Sequence, residues 1–422
     1  MFDPMSGPSG YKEARRLLGS SDSPSLTVDN SPYLPNIRAD LFPDDAAATA
    51  SSVASVAVSV LTSPGGALEG KQVDPSSCSV SRVSGGITNA LFRIDIPSQP
   101  CGWNAAPPHP FLLRVFGAEG MIDRDDETST YSAVCSFLAR RREESCEDTE
   151  GLSYHGRFSN GRVEGWLDGY RALTAPELGV PVVSAAIARS LAGFHAMGVP
   201  DGLEEVHDSS SPGGCWDQLE TWLRQARSAV FRTPVDEERA AALNIDEVAE
   251  GLQKIKEGGS VPTSTEGCAL CHNDLLSMNI MMKEGSCDAG GSPSIRLIDF
   301  EYGGWNYVGF DIANHFNEWA GGTDDGRPDY DLFPNDKQRE IFCAAYLDEK
   351  RRIDSISAEN KCEENDNALQ SLLSEVDCFI LVNHLYWGLW AVNQASAEGC
   401  DDFDYLLYAA NRIGQYRALR GY

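Results

Sequence analysis

Positive charge is scarce in this chain. Against 63 aspartates and glutamates stand only 34 lysines and arginines in 422 residues, a formal net charge of −29. With no basic stripe to offset it, such a field repels nucleic acid and anionic membranes, which excludes both as main partners. Long apolar runs are missing as well. The most apolar early stretch, Val53 to Leu61, is broken by Ser55 and Ser59 and is far shorter than the ~20 residues of a membrane span. Met1-Phe2-Asp3-Pro4 lacks the charged-then-apolar pattern of a secretory signal, so a cytoplasmic location is expected. The 12 cysteines follow no framework spacing, which excludes a disulfide scaffold and suits reduced thiols. Cys268-Ala269-Leu270-Cys271-His272 spells a haem-attachment pattern, but no export signal accompanies it and no second pair completes a zinc site.

What is present is concentrated between Cys271 and Trp319. The run His272-Asn273-Asp274-Leu275-Leu276-Ser277-Met278-Asn279 sets a carboxylate and, after four intervening residues, an Asn amide. Kinase catalytic loops need that spacing: the carboxylate holds the acceptor hydroxyl and the Asn oxygen reaches Mg²⁺. About twenty residues on, Ile298-Asp299-Phe300 follows the alternation Ile295, Leu297, where a kinase carries its metal-binding Asp-Phe pair; Glu301 replaces the usual Gly.

With Glu301-Tyr302, Asn306-Tyr307 and the run Phe310-Asp311-Ile312-Ala313-Asn314-His315-Phe316-Asn317-Glu318-Trp319, this block resembles the choline/ethanolamine kinase family. The resemblance extends from about Ser76 to Tyr422. It implies a bilobal protein-kinase-like α+β fold, with a small antiparallel-sheet N-lobe and a larger, mainly helical C-lobe. It also implies transfer of the ATP γ-phosphoryl group to a small amino alcohol with ATP and Mg²⁺ as cofactors. A chain of 422 residues exceeds what one core usually supports, in keeping with two lobes. The expected division is a poorly ordered leader over 1–37, an N-lobe over 38–165 and a C-lobe over 166–422.

In chain order, Asp44 or Asp45 caps a helix ending near Leu61. A hairpin, Cys78 to Val83 and Leu91 to Ile94, carries the tip Ser84-Gly85-Gly86-Ile87-Thr88-Asn89. Glycine there is first a turn signal, and neither a Walker nor a Rossmann pattern is present. The resemblance makes Ser84, Gly85, Gly86, Thr88 and Asn89 the nucleotide-phosphate loop, whose N–H groups would face phosphate. On the strand Phe111 to Gly117, a lone Arg114 is ordinarily a solvated residue; in the family it is the phosphate-binding cation, with Glu127 on the following helix as its partner. Gly161 to Leu167 is expected to form the strand and hinge between lobes. Helices are expected over Ser184 to Met197, Trp216 to Val230, Asp236 to Ile255 and Phe310 to Trp319, with His195 structural and Asp311 bracing the catalytic-loop backbone.

Near the C-terminus, Trp387 and Trp390 stand three apart on one helical face. Such a pair is usually core. In choline kinases similar residues form an aromatic box over the ammonium, and Trp387, Trp390, Tyr405 and Tyr408 match it. After Glu318-Trp319 the chain reads Ala320-Gly321-Gly322-Thr323-Asp324, where choline kinases place a further Tyr. A quaternary ammonium has no N–H donors, whereas a primary ammonium has three and favours carboxylates. With Glu301 and Glu318 as its partners, ethanolamine is the expected substrate and phosphoethanolamine the product, the entry to phosphatidylethanolamine synthesis by the CDP-ethanolamine route. A choline preference would require another ring, Tyr307 or Tyr330, to close the box. Asp274 is the expected catalytic residue, and Asn279 and Asp299 the metal ligands. The oligomeric state is not legible in the residues; a homodimer is compatible with them.

Overall fold

A computed structural model describes residues 31–83, 89–97, 110–117, 123–145, 152–200, 203, 206, 207, 209, 214–258, 267–286, 292–357 and 367–420. The tip residues Ser84, Gly85, Gly86 and Thr88 lie outside them; Asn89 is the first described residue after the tip.

The N-terminal lobe is a six-stranded sheet in the order β1-β5-β6-β4-β3-β2, from β1 (Tyr33–Leu34), β2 (Ser79–Val83), β3 (Asn89–Asp95), β4 (Phe111–Phe116), β5 (Tyr154–Phe158) and β6 (Gly161–Gly165). Helix α1 (Ala46–Thr62) packs on one face, and its first turn is capped by Asp45, whose Oδ1 accepts the Ala48 N–H at 2.9 Å. Residues 33 and 34, within the expected leader, pair in parallel with Arg157 and Phe158. The strand period of two sorts β4: Phe111, Leu113 and Val115 join the core with Val53, Val60, Phe92 and Val163, while Arg114 faces the other way. Helix α2 (Arg124–Ser145) lies beside that second face.

The second lobe is mainly helical. After β7 (Tyr170–Ala172) come α3 (Ala175–Leu178), α4 (Pro181–His195), α5 (Cys215–Arg227), α6 (Pro234–Ala242) and α7 (Ile245–Glu257). The single helix expected over 236–255 is divided because Asn244 adopts a left-handed φ of 53°, which an Asn tolerates better than most residues. Two small sheets follow: β10-β9-β7, with β9 (Ile280–Lys283) and β10 (Ile295–Leu297), and β11-β8, with β8 (Cys268–Cys271) and β11 (Gly304–Tyr307). Then come α8 (Val308–Glu318), α9 (Asp336–Ser357), α10 (Asn367–Glu398) and α11 (Tyr405–Arg420). Their large core joins Leu191, Phe310, Phe316, Phe342, Phe379 and Ile413. A small sheet lobe joined to a larger helical one is the bilobal protein-kinase-like α+β arrangement. Among the described residues no helix is long and apolar enough to cross a membrane.

Candidate active site

The loop after β8 is held by one buried carboxylate. Asp311, in the first turn of α8, accepts the backbone N–H of His272 at 2.7 Å and of Asn273 at 2.8 Å. His195 Nε2 completes the set at 2.9 Å, and its Nδ1 meets Tyr346 Oη at 2.9 Å. Burial works against the Asp311 charge, yet these bonds hold its carboxyl below the ordinary range. Asn273 sits at φ 66° and is pinned through its side chain: Nδ2 donates to the Tyr302 carbonyl at 2.9 Å, and Oδ1 accepts from Asn306 at 2.8 Å. His272 Nε2 donates to the Ile298 carbonyl at 2.8 Å, which leaves Nδ1 to accept the Asp274 N–H at 3.4 Å. Together these contacts hold the loop backbone and aim Asp274.

Asn279 Nδ2 donates to the Asp274 carbonyl at 2.9 Å and to Oδ2 at 3.3 Å, leaving its Oδ1 for another partner. Its carbonyl accepts the Ile298 N–H at 3.0 Å, so Asn279 and Asp299 stand together at the ends of β9 and β10. Burial pushes the Asp274 carboxyl well above the ordinary value, and Glu318, Glu301 and Asp299 add to the push.

Across the cleft, Arg114 and Arg162 are direct neighbours on β4 and β6. Their repulsion is answered by Glu164, whose Oε1 accepts from Arg114 Nε at 2.8 Å and Arg162 Nε at 2.7 Å. Arg114 Nη1 also reaches Asp299 Oδ1 at 3.4 Å. Glu127, the expected partner of Arg114, feels the Arg114 charge but takes its hydrogen bonds from Arg162 Nη1 at 2.6 Å and Arg124 Nη1 at 2.8 Å, so the carboxylate bonded to Arg114 Nε is that of Glu164. The alternation of Arg162, Val163 and Glu164 places both charges on one face, a signal present in the sequence and passed over.

Glu301 also stands elsewhere than expected. It accepts from Arg124 at 3.1 Å, and its carboxylate oxygen lies within 4.8 Å of those of Glu127 and Asp299. Burial, then Asp299 and Glu127, push its pKa up to about 7. Three clustered carboxylates and the Asn279 amide oxygen are hard oxygen donors of the kind Mg²⁺ takes. A cavity of about 370 Å³ beside this cluster is lined by Glu127, His207, Glu301 and Trp305, and by Asn273 but not Asp274 or Asn279.

Glu318, at the end of α8, is 3% exposed. Its Oε1 accepts from Arg412 Nη1 at 2.7 Å, while Oε2 is buried with no hydrogen-bond partner among the described residues. Arg412 is held in turn by Asn383 Oδ1 at 2.7 Å and Tyr408 Oη at 3.2 Å. Around it the aromatic residues meet edge to face: Trp387 and Trp390 at 5.4 Å, Trp390 and Tyr405 at 5.6 Å, Trp390 and Tyr408 at 6.4 Å. Trp390 Nε1 donates to Tyr302 Oη at 3.0 Å, and Trp387 Nε1 to Asn314 Oδ1 at 2.7 Å. Tyr405 Oη is taken by Glu398 at 2.9 Å. Sequence reasoning gave Tyr302 and Arg412 no role, although Arg412 follows Tyr408 by one helical turn. Tyr307 packs on Phe379 at 5.0 Å, away from these rings.

Fold and loop order are those of a kinase-like phosphotransferase. The choline/ethanolamine kinase family is matched over residues 80–417. A choline/ethanolamine kinase of Homo sapiens is 32% identical over 83% of this chain and 82% of that protein. A probable ethanolamine kinase of Arabidopsis thaliana is 29% identical over 82% of this chain and 80% of its own length. Among solved structures, an ethanolamine kinase of Plasmodium vivax has a TM-score of 0.62 at 23% identity, covering 82% of this chain and 84% of that one, and so shares the fold. The chain belongs to the choline/ethanolamine kinase family; it is an ATP-dependent phosphotransferase acting on an alcohol.

Proposed function

We propose that the chain phosphorylates ethanolamine to phosphoethanolamine, the step that opens phosphatidylethanolamine synthesis by the CDP-ethanolamine route. The observation that carries this reading is the buried Glu318 Oε2, which has no hydrogen-bond partner among the described residues. A primary ammonium brings N–H donors to satisfy it; a trimethylammonium does not. The stretch Ala320 to Asp324 adds no ring beside it. The aromatic group of Tyr302, Trp387, Trp390, Tyr405 and Tyr408 favours choline as a second substrate, since ring faces attract any ammonium.

In this mechanism Asp274 orients the acceptor hydroxyl and takes its proton as the oxygen attacks the γ-phosphorus in line. The neighbouring carboxylates raise its proton affinity, and a cationic substrate beside Glu318 offsets part of their field. Asn279, Asp299 and Glu301, with Glu127 behind them, would hold Mg²⁺, which when bound neutralises charge on the transferring phosphate. Arg114, held by Glu164, would meet the nucleotide phosphates as a fixed cation, and the same role is assigned to the Ser84-to-Asn89 tip, of which only Asn89 is among the described residues. Steady-state transfer from Mg-ATP to ethanolamine and choline in parallel tests the reading. A higher kcat/KM for ethanolamine is expected; a higher value for choline refutes the substrate assignment.

A further inference from the structure

We propose that Tyr330 is a specificity-determining residue: its phenolic oxygen and Glu318 Oε2 form a socket of two acceptors that reads the N–H groups of a primary ammonium. This rests on the reading of the pocket as an amino-alcohol site.

The loop after α8 carries no ring where one would wall the pocket, but it does not leave the space to solvent. Gly321, Gly322 and Gly326 adopt φ of 64°, 86° and 74°, turns that a side chain would strain. They fold the chain back so that the Asp329 N–H donates to the Ala320 carbonyl at 2.8 Å. Asn411 of α11 ties the loop down, its Nδ2 donating to the Gly326 carbonyl at 2.7 Å. A 3₁₀ turn over Tyr330–Leu332 then delivers Tyr330 onto α10. Its ring meets that of His384 edge-on at 5.7 Å and 84°, one residue from Asn383, which holds Arg412.

Two polar oxygens are thereby buried without partners among the described residues, Tyr330 Oη and Glu318 Oε2. Buried polar atoms in folded proteins are nearly always satisfied, so two of them around the Glu318–Arg412 pair point to a ligand that supplies donors. Contacts link Tyr330 to the same corner: its ring meets His384, the neighbouring Asn383 accepts from Arg412, and Arg412 donates to Glu318; burial raises the Tyr330 hydroxyl pKa, with the Arg412 and Glu318 charges acting on it in opposite senses. Arg412 occupies only Oε1 of Glu318; the second oxygen and the phenol remain for the substrate. A primary ammonium satisfies both, whereas each added N-methyl group removes one donor.

The test compares kcat/KM for ethanolamine, its N-methyl and N,N-dimethyl derivatives and choline, in the wild-type chain, Tyr330→Phe and Tyr330→Leu. Loss of the hydroxyl should lower the ethanolamine-to-choline ratio about tenfold in both variants, through KM for the amino alcohol and not KM for ATP. An unchanged ratio in Tyr330→Phe overturns the proposal. So does a loss seen only in Tyr330→Leu and falling on choline, which would make Tyr330 a ring wall. If the wild type prefers choline, the substrate reading fails by itself; the shift in ratio on removing the hydroxyl still judges Tyr330 separately.

Discussion

Arg412→Met removes one end of a pair that has no room to adjust. Glu318 and Arg412 side chains are 3% and 1% exposed and meet at 2.7 Å. Without the guanidinium, Oε1 loses its partner and Oε2 already has none, so an isolated carboxylate would be left in the interior. Breaking a buried pair from one side costs about 3–5 kcal/mol. The carboxyl escapes part of that cost by taking a proton. Burial already raises its pKa, and Arg412 is the opposing influence, so the variant should shift Glu318 further toward its neutral form. A neutral acid holds an ammonium poorly, and the loss of a charge-assisted contact should raise the amino-alcohol KM about 10- to 100-fold. The sign follows from the raised pKa: the charged form returns as pH rises, so KM in the variant should fall with increasing pH. The assay is KM for ethanolamine and for ATP across pH 6–9, alongside urea denaturation. Arg412→Lys should recover part of the binding, and adding Glu318→Gln to Arg412→Met should recover stability but not KM. An Arg412→Met enzyme with the parental KM at neutral pH and no pH trend would refute the reasoning.

Two further outcomes follow from the same geometry. Asp274→Asn keeps the shape of the loop and removes the base, so kcat should fall by about 10²–10⁴ while KM for ATP is retained; a variant turning over at the parental rate would remove Asp274 from proton transfer. Glu164 gives the acid limit of stability. Burial would raise its pKa, but Arg114 and Arg162 outweigh it and hold the value at about 2. A depressed carboxylate stabilises above its unfolded pKa and loses that contribution as pH falls through its folded one, so a few kcal/mol should disappear between about pH 4.5 and 2. Glu164→Gln should flatten that part of the stability–pH curve, and a parental curve in the variant would place the acid sensitivity elsewhere.

How much of this was legible in the residues depended on the length of chain that each feature spans. The Asp274-to-Asn279 spacing and the Ile298-Asp299 pair are local, and local patterns survive folding: Asn279 and Asp299 stand together where β9 begins and β10 ends. The Asp311 brace was readable because kinase-like loops require their backbone N–H groups to be satisfied from a nearby helix. Charge partners were less legible. Glu127 and Glu164 are equally acidic in sequence, and only the β4–β6 register, which sets Arg114 opposite Arg162, decides that Glu164 must sit between them. Glu301 was assigned by its charge to the ammonium, yet the backbone turn at Asp299, at φ 67°, turns the chain so that it joins Glu127 and Asp299.

The pocket was the least legible part, because its corner draws one residue each from α8, the loop after it, α10 and α11. Glu318, Tyr330, Asn383 and Arg412 span 95 positions, and no periodicity links them. The absence of a ring over Ala320 to Asp324 read as an open side. In the fold, those small residues are what allow the loop to double back and insert Tyr330, so a missing aromatic in sequence becomes a hydroxyl in space. On the proposed reading, substrate choice turns on the tip of that side chain, which is why the one-atom change Tyr330→Phe is a more informative perturbation than removal of any tryptophan.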